Sequence, residues 1–122
     1  MMKEGNVEEA RLETRTRTNT GLPVIDVAGE IDLYTAPMFK KALNESIEDG
    51  NKNILVNMSN VSYMDSSGFG TLLGVTKRVR PDGGSVNLIG CNDAICRMLK
   101  ITRLNTIFGL FDEEEDAVKA IT

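Results

Sequence analysis

Ser66 and Ser67 follow Asp65 and precede Gly68 where a short apolar strand (Ile54, Leu55, Val56) and a connecting segment give way to a helix. Hydroxyls at an exposed helix N-terminus can take a phosphate, because backbone N–H groups point outward there and the helix dipole favours negative charge. The same residues also read as an ordinary N-cap, since Asp and Ser satisfy orphan backbone N–H groups at about 1 kcal/mol each. Taken alone, they fit the cap. Use of Ser66 as a nucleophile for acyl or phosphoryl transfer lacks its usual base, because the chain contains no histidine. Lys77 is the alternative base, and it lies a few helical turns from the hydroxyl.

The absence of histidine also removes Cys-His activation and every imidazole metal ligand. The two cysteines cannot form a four-thiolate zinc site. Cys91 and Cys96 are not in a Cys-x-x-Cys arrangement, and they read as two small buried hydrophobes with no regulatory disulfide. Gly68, Gly70 and Gly74 follow a strand and open a helix, but their spacing is one residue too long for a dinucleotide fingerprint. They read instead as a low helix face that a partner's backbone or nucleotide can approach. The acidic run Asp112 to Asp116 fits the first turn of a helix, where carboxylates favour the dipole by about 0.3–1 kcal/mol.

These residues need a scaffold. At 122 residues and 41% hydrophobic side chains, the chain supports one domain with one core, spanning 1–122 with residues 1–6 frayed. A charged edge strand is expected within residues 7–18, followed by a hairpin connection over Asn19 to Pro23 and a strand from Val24 to Ala28. Thr35 is expected to cap a helix with Pro37 in its first turn and Phe39, Ala42, Leu43 and Ile47 on its inner face, ending at Gly50. Ile54-Leu55-Val56 reads as a strand buried on both faces. The next helix carries Phe69, Leu72, Leu73, Thr76 and Val79 on one side and ends at Pro81-Asp82-Gly83-Gly84. Then come a strand at Val86, Leu88 and Ile89, a helix capped by Asn92 with Ile95, Met98 and Leu99 inside, a short strand Thr106-Ile107-Phe108, and a final helix capped by Asp112. Alternating strands and helices predict an α/β fold: a small, mostly parallel sheet with an antiparallel N-terminal edge hairpin, packed against about four helices.

From Val56 to Val79 the sequence VNMSNVSYMDSSGFGTLLGVTKRV, together with the upstream Gly29-Glu30-Ile31-Asp32, resembles the anti-sigma factor antagonist family, whose domain is called STAS. The resemblance covers nearly the whole chain and implies the same fold. It implies that Ser66 is a phosphorylation site, with Ser67 capping or supporting it. It also places the segment from Gly29 to Thr35 beside the phosphorylation loop, on the face that an anti-sigma kinase contacts. Expected partner-binding residues are therefore Glu30, Asp32, Thr35, Met64, Asp65, Ser67, Gly68, Phe69 and Gly70, with Asp32 foremost. The sequence departs from the family's pattern at Phe69, where Leu is usual, and at Arg103, where a Gly commonly precedes the last strand.

The resemblance implies a protein switch and no catalysis. Its partners would be an anti-sigma serine kinase and a phosphoserine phosphatase, and the free protein would be a monomer or weak dimer. No cofactor or metal is expected. The alternative within the same fold is a STAS scaffold subunit of a stress-signalling assembly, or a phosphorelay partner that does not act on a sigma factor. A net charge of −4 opposes nucleic-acid binding, which needs clustered Lys and Arg. No stretch has the length and apolarity of a membrane span, and the first residues are polar where a signal peptide needs an apolar core; a cytoplasmic protein is expected.

Overall fold

Ile54, Leu55 and Val56 are all buried, and they face two different cores, because successive side chains of a strand point to opposite sides of a sheet. The computed structural model describes residues 11–18 and 21–122. These form one sheet of strands β1 (Leu12–Arg17), β2 (Val24–Ile31), β3 (Asn53–Met64), β4 (Ser85–Ile89) and β5 (Gly109–Phe111), in spatial order 1-2-3-4-5. β1 pairs antiparallel with β2 and every later pair is parallel. Helices α1 (Ala36–Glu48), α2 (Ser66–Val79) and α3 (Asp93–Ile101) connect the parallel strands, and α4 (Glu114–Ile121) follows β5.

Parallel strands added in one direction through crossovers of one hand put their helices on one face. Accordingly Phe39 and Leu43 of α1, Leu72, Val75 and Val79 of α2, and Ile95 and Leu99 of α3 share a core with Ile25, Ile31, Ile54, Val56 and Leu88. The opposite face holds a smaller cluster of Val24, Leu55, Ile89 and Ala117, with Leu22, Phe111 and Ile121 against it, so α4 covers that side alone. Beyond α4 this second face is polar. There Arg17 of β1 donates to both Asp26 of β2 (2.6 Å) and Glu114 of α4 (2.5 Å), and Asn57 donates to Asp26 at 2.8 Å. Arg17 thus ties the edge strand to its neighbour and to the last helix.

Gly29 has φ +118°, and the register with β3 shifts beside it. A Cβ there would collide with the Arg11 carbonyl, which passes over the strand and accepts a hydrogen bond from the Glu30 N–H at 2.7 Å. Glycine is therefore required at this crossing.

Several local expectations need correction. The segment after Val56, expected as a connection, continues as strand to Met64, because Met58, Val61 and Met64 supply further buried anchors. The last strand is Gly109–Phe111; of the expected Thr106-Ile107-Phe108, Thr106 closes a 3₁₀ turn over Leu104–Thr106 and the other two follow it, with only Phe108 of the three buried. The final helix takes Glu113 at its N-cap position in place of Asp112. Met98 is 44% exposed and lies outside the core. Cys91 and Cys96 are half-buried free thiols, where full burial was expected. Burial, reinforced by the neighbouring Cys96, pushes the Cys91 thiol up to about 12, and the Cys96 thiol donates to the Cys91 carbonyl at 3.4 Å. The frayed residues 1–6, the start of the expected edge strand and Asn19 and Thr20 of the hairpin connection lie outside the described residues.

Candidate functional site

β2 and β3 run parallel and end together, with Ile31 paired to Met64. Each strand is followed at once by an aspartate, Asp32 and Asp65, and the Asp65 N–H donates to the Ile31 carbonyl at 3.0 Å. The loop from β2 into α1 and the start of α2 are thereby held side by side at one edge of the molecule.

At the start of α2 the backbone of Asp65 is extended, and its carboxylate accepts from the Ser67 N–H at 2.8 Å. Its carbonyl accepts from Gly68 and Phe69 at 3.0 and 3.3 Å. Asp65 is therefore the N-cap and Ser66 the first helical residue. Ser66 is exposed, whereas Ser67 is half-buried and its carbonyl accepts from the Thr71 hydroxyl at 2.9 Å. The hydroxyl that the sequence singled out thus stands at the outward, positive end of a helix of 14 residues.

Four residues expected to touch a partner turn inward. Met64, Phe69 and Thr35 are buried at 7–8% exposure, and Gly68 is buried as well. A Cβ on Gly68 would strike the Met64 side chain and Ile31 Cγ2, at 2.8 Å for the latter. Gly68 therefore lets α2 settle onto the sheet and does not keep an outer face low. Gly70 and Gly74 do face outward, where an added Cβ would meet nothing. They line an open groove of about 510 Å³ between α1 and α2, which begins at Ser67 and is flanked by Lys40 and Arg78.

In the β2–α1 loop, Thr35 occupies the N-cap position of α1 without capping it. Its hydroxyl donates to the Glu30 carbonyl at 2.7 Å and accepts from the Asp32 N–H at 2.9 Å. Asp32 is engaged within the molecule. One carboxylate oxygen accepts from the N–H groups of Tyr34 and Thr35 at 2.9 and 3.0 Å, and the other accepts from Arg11. Burial opposes the Asp32 charge, but the two backbone donors and the Arg11 guanidinium outweigh it and hold the carboxyl below the usual range. Arg11 also comes within 3.9 Å of the exposed Glu30 and lies 5.9 Å from the centre of the Tyr34 ring. Leu33, Tyr34 and Met38 are 68%, 79% and 42% exposed. Leu33 and Tyr34 fall within the segment that the resemblance sets beside the phosphorylation loop, although neither is among the individually expected partner-binding residues, and Met38 lies outside that segment.

Among the described residues no group of three or more Cys, Asp or Glu side chains is arranged to hold a metal ion, and no helix is long and apolar enough to cross a membrane. The arrangement offers recognition and modification at one edge: an exposed hydroxyl, a braced loop and a groove.

The family model for the STAS domain matches residues 13–117. The chain belongs to the STAS domain family. It is 35% identical over 96 residues to the anti-sigma-B factor antagonist of Staphylococcus aureus, covering 79% of this chain and 89% of that one. Its structure is similar to the crystal structure of an anti-sigma factor antagonist from Mycobacterium paratuberculosis, with a TM-score of 0.80 at 26% identity over 89% of this chain and 92% of that one. It shares its fold with the Bacillus cell fate determinant SpoIIAA in the phosphorylated form, with a TM-score of 0.69 at 22% identity over 90% of this chain and all of that one. The single domain, the mixed sheet and the antiparallel first pair expected from the sequence are those of this STAS fold.

Proposed function

We propose that this STAS domain is an anti-sigma factor antagonist. Its unphosphorylated form binds an anti-sigma serine kinase, which then releases its sigma factor; phosphorylation of Ser66 ends the binding and a phosphatase restores it. The observation that carries this reading is the exposed Ser66 at the first position of α2, directly behind the capping Asp65 and beside the β2–α1 loop. The relative named anti-sigma-B factor antagonist supports the partner class. On this reading the protein is a regulatory binding partner that acts in the cytoplasm, and Ser66 is a substrate for another enzyme's chemistry.

A phosphate adds about −1.5 to −2 charges at pH 7. On Ser66 it adds them directly behind Asp65, on a chain whose net charge is already −4. The helix N-terminus accommodates the charge within the domain, whereas a partner surface packed there meets it directly. Two charges about 4 Å apart interact by about 1 kcal/mol in water and about 4 kcal/mol at an effective dielectric of 20. Each 1.4 kcal/mol is about tenfold in affinity, so electrostatics at the contact suffices to switch binding without refolding.

The test is incubation with the anti-sigma kinase of the same organism and ATP, followed by mapping of the phosphate by mass spectrometry. Label on Ser66, lost in Ser66→Ala, is the expected result. Label retained in Ser66→Ala overturns the assignment.

A further inference from the structure

We propose that Cys91 and Cys96 form a redox site, at which hydrogen peroxide joins the two thiols in a reversible disulfide that braces the corner between β4 and α3. The site is separate from Ser66, and its chemistry does not depend on the function proposed above. Cys91 immediately precedes Asn92, the N-cap of α3, and Cys96 is the fourth residue of that helix. Side chains at these two positions pack against each other across a helix start, as a hydrophobic staple. Here both members of the staple are cysteines. The Cys96 thiol donates to the Cys91 carbonyl at 3.4 Å, and both residues line one cavity of about 110 Å³ with Leu88, Leu110, Phe111 and Asp112. The sequence reading expected no regulatory disulfide from two buried residues; both are half-buried, so the pair stays within reach of a small oxidant. The corner is fixed on either side of Cys91. The Gly90 N–H donates to the Phe111 carbonyl at 2.8 Å, while the Asn92 side chain accepts from the Ile95 N–H at 2.9 Å and donates to the Val61 carbonyl at 3.2 Å. On this frame the movement left to bring the sulfurs together is side-chain rotation.

Hydrogen peroxide is an oxidant of suitable size, because a cavity of this volume has room for molecules about as large as water. Burial pushes the Cys91 thiol up to about 12 and keeps it protonated, so Cys96 reacts first. Its sulfur takes one oxygen from the peroxide to give a sulfenic acid, and the other oxygen leaves as water. The Cys91 sulfur then bonds to the Cys96 sulfur and displaces that hydroxyl, which departs with the Cys91 proton as a second water. Two thiols thereby lose two hydrogens and one peroxide is reduced to two waters. A thiol reductant reverses the bond by exchange. Disulfides in a reducing compartment are mostly of this transient kind.

The experiment treats the full chain, freed of reductant, with hydrogen peroxide and follows it by thiol titration, a non-reducing peptide map and a thermal melt. Wild type should lose both thiols, and the map should show Cys91 and Cys96 of one chain joined and lighter by two hydrogens; a reductant should restore both thiols. A bridge that closes this short loop should raise the melting temperature by about 3 °C or more. Cys91→Ser should stop at a sulfenic acid on Cys96, trapped by dimedone, and Cys96→Ser should keep its remaining thiol. The wild-type map decides the matter even where a serine variant fails to fold. Exposed Met38 and Met98 calibrate the oxidant. Thiols that survive peroxide sufficient to oxidise these methionines overturn the site. So does a sulfinic acid on Cys96 with no bridge, a bridge between two chains, or a bridged chain that melts below the reduced one.

Discussion

Gly68 and Gly70 lie two residues apart on one helix and carry opposite demands. Gly68 is pressed against Met64 and Ile31, so Gly68→Ala should destabilise the domain by about 1–3 kcal/mol, the usual cost of overpacking. An alanine at Gly70 meets nothing, and glycine inside a helix costs up to about 1 kcal/mol relative to alanine, so Gly70→Ala should stabilise by up to that amount. Urea unfolding of the two variants gives both signs. The sequence displayed both glycines equally, because spacing reveals where a glycine is and not what stands over it. The same limit applied to Asp32. Its type and position were legible from Gly29-Glu30-Ile31-Asp32, but its carboxylate proved to be occupied by Tyr34, Thr35 and Arg11, and the Arg11 contact spans 21 residues that no local pattern links. The place of Ser66 at a helix start was legible because its setting is local, an aspartate cap with a helix following at once, whereas a phosphate on it is implied only by the family resemblance.

The elements were legible wherever periodicity was strong, as in α1, α2 and β4, and blurred where a segment is short or only partly buried. β3 was cut at Val56 because Asn57, Ser59, Asn60 and Ser62 interrupt the apolar run; pairing with β2 on one side carries the strand to Met64 regardless. The last strand was displaced by three residues, since Leu104–Thr106 winds into a 3₁₀ turn after Arg103. Arg103 itself sits at φ +62°, the one positive value among the described non-glycine residues. A left-handed side chain costs about 1–2 kcal/mol, partly offset by the greater freedom glycine has when unfolded, so Arg103→Gly should stabilise by about 0.5 kcal/mol in denaturant titration. Arg17 shows what an element can do that a pattern cannot announce. Read as one charge on an edge strand, it joins β1, β2 and α4 through Asp26 and Glu114. Its hydrogen bond lowers the Asp26 carboxyl against the opposing effect of burial, and the Asn57 amide assists. A carboxyl lowered in the folded state stabilises fully above its unfolded value, near 4, and loses that contribution as pH falls through the folded value. Arg17→Met should therefore cost about 1–2 kcal/mol at pH 7 and flatten the loss of stability below about pH 4, both read from urea midpoints across a pH series.

At the scale of the molecule, the site lies at the C-terminal ends of β2 and β3 while two separate clusters, one on each face, hold the fold together. Ser66 belongs to neither, so a charge placed there should change what the protein binds and leave how it folds unchanged. Ser66→Asp should melt within about 3 °C of wild type, since a shift larger than that corresponds to about 1 kcal/mol in a domain of this size. Affinity for the anti-sigma factor should meanwhile fall by about tenfold, and further in the phosphorylated protein, whose added charge is up to about twice as large. Ser66→Ala, which adds no charge, should bind as wild type. Salt then separates charge from bulk. Raising ionic strength from 0.1 M to 1 M shortens the screening length from about 10 Å to about 3 Å, so an electrostatic penalty should shrink while a steric one persists. Calorimetric titration of the wild-type, Ser66→Asp and phosphorylated chains at both ionic strengths gives the comparison. A gap between the phosphorylated and wild-type chains that narrows at high salt would place the switch in the charge itself. A gap unchanged by salt would place it in the volume of the phosphate against a tightly fitted surface, and a large drop in melting temperature for Ser66→Asp would show instead that the charge acts by loosening the start of α2.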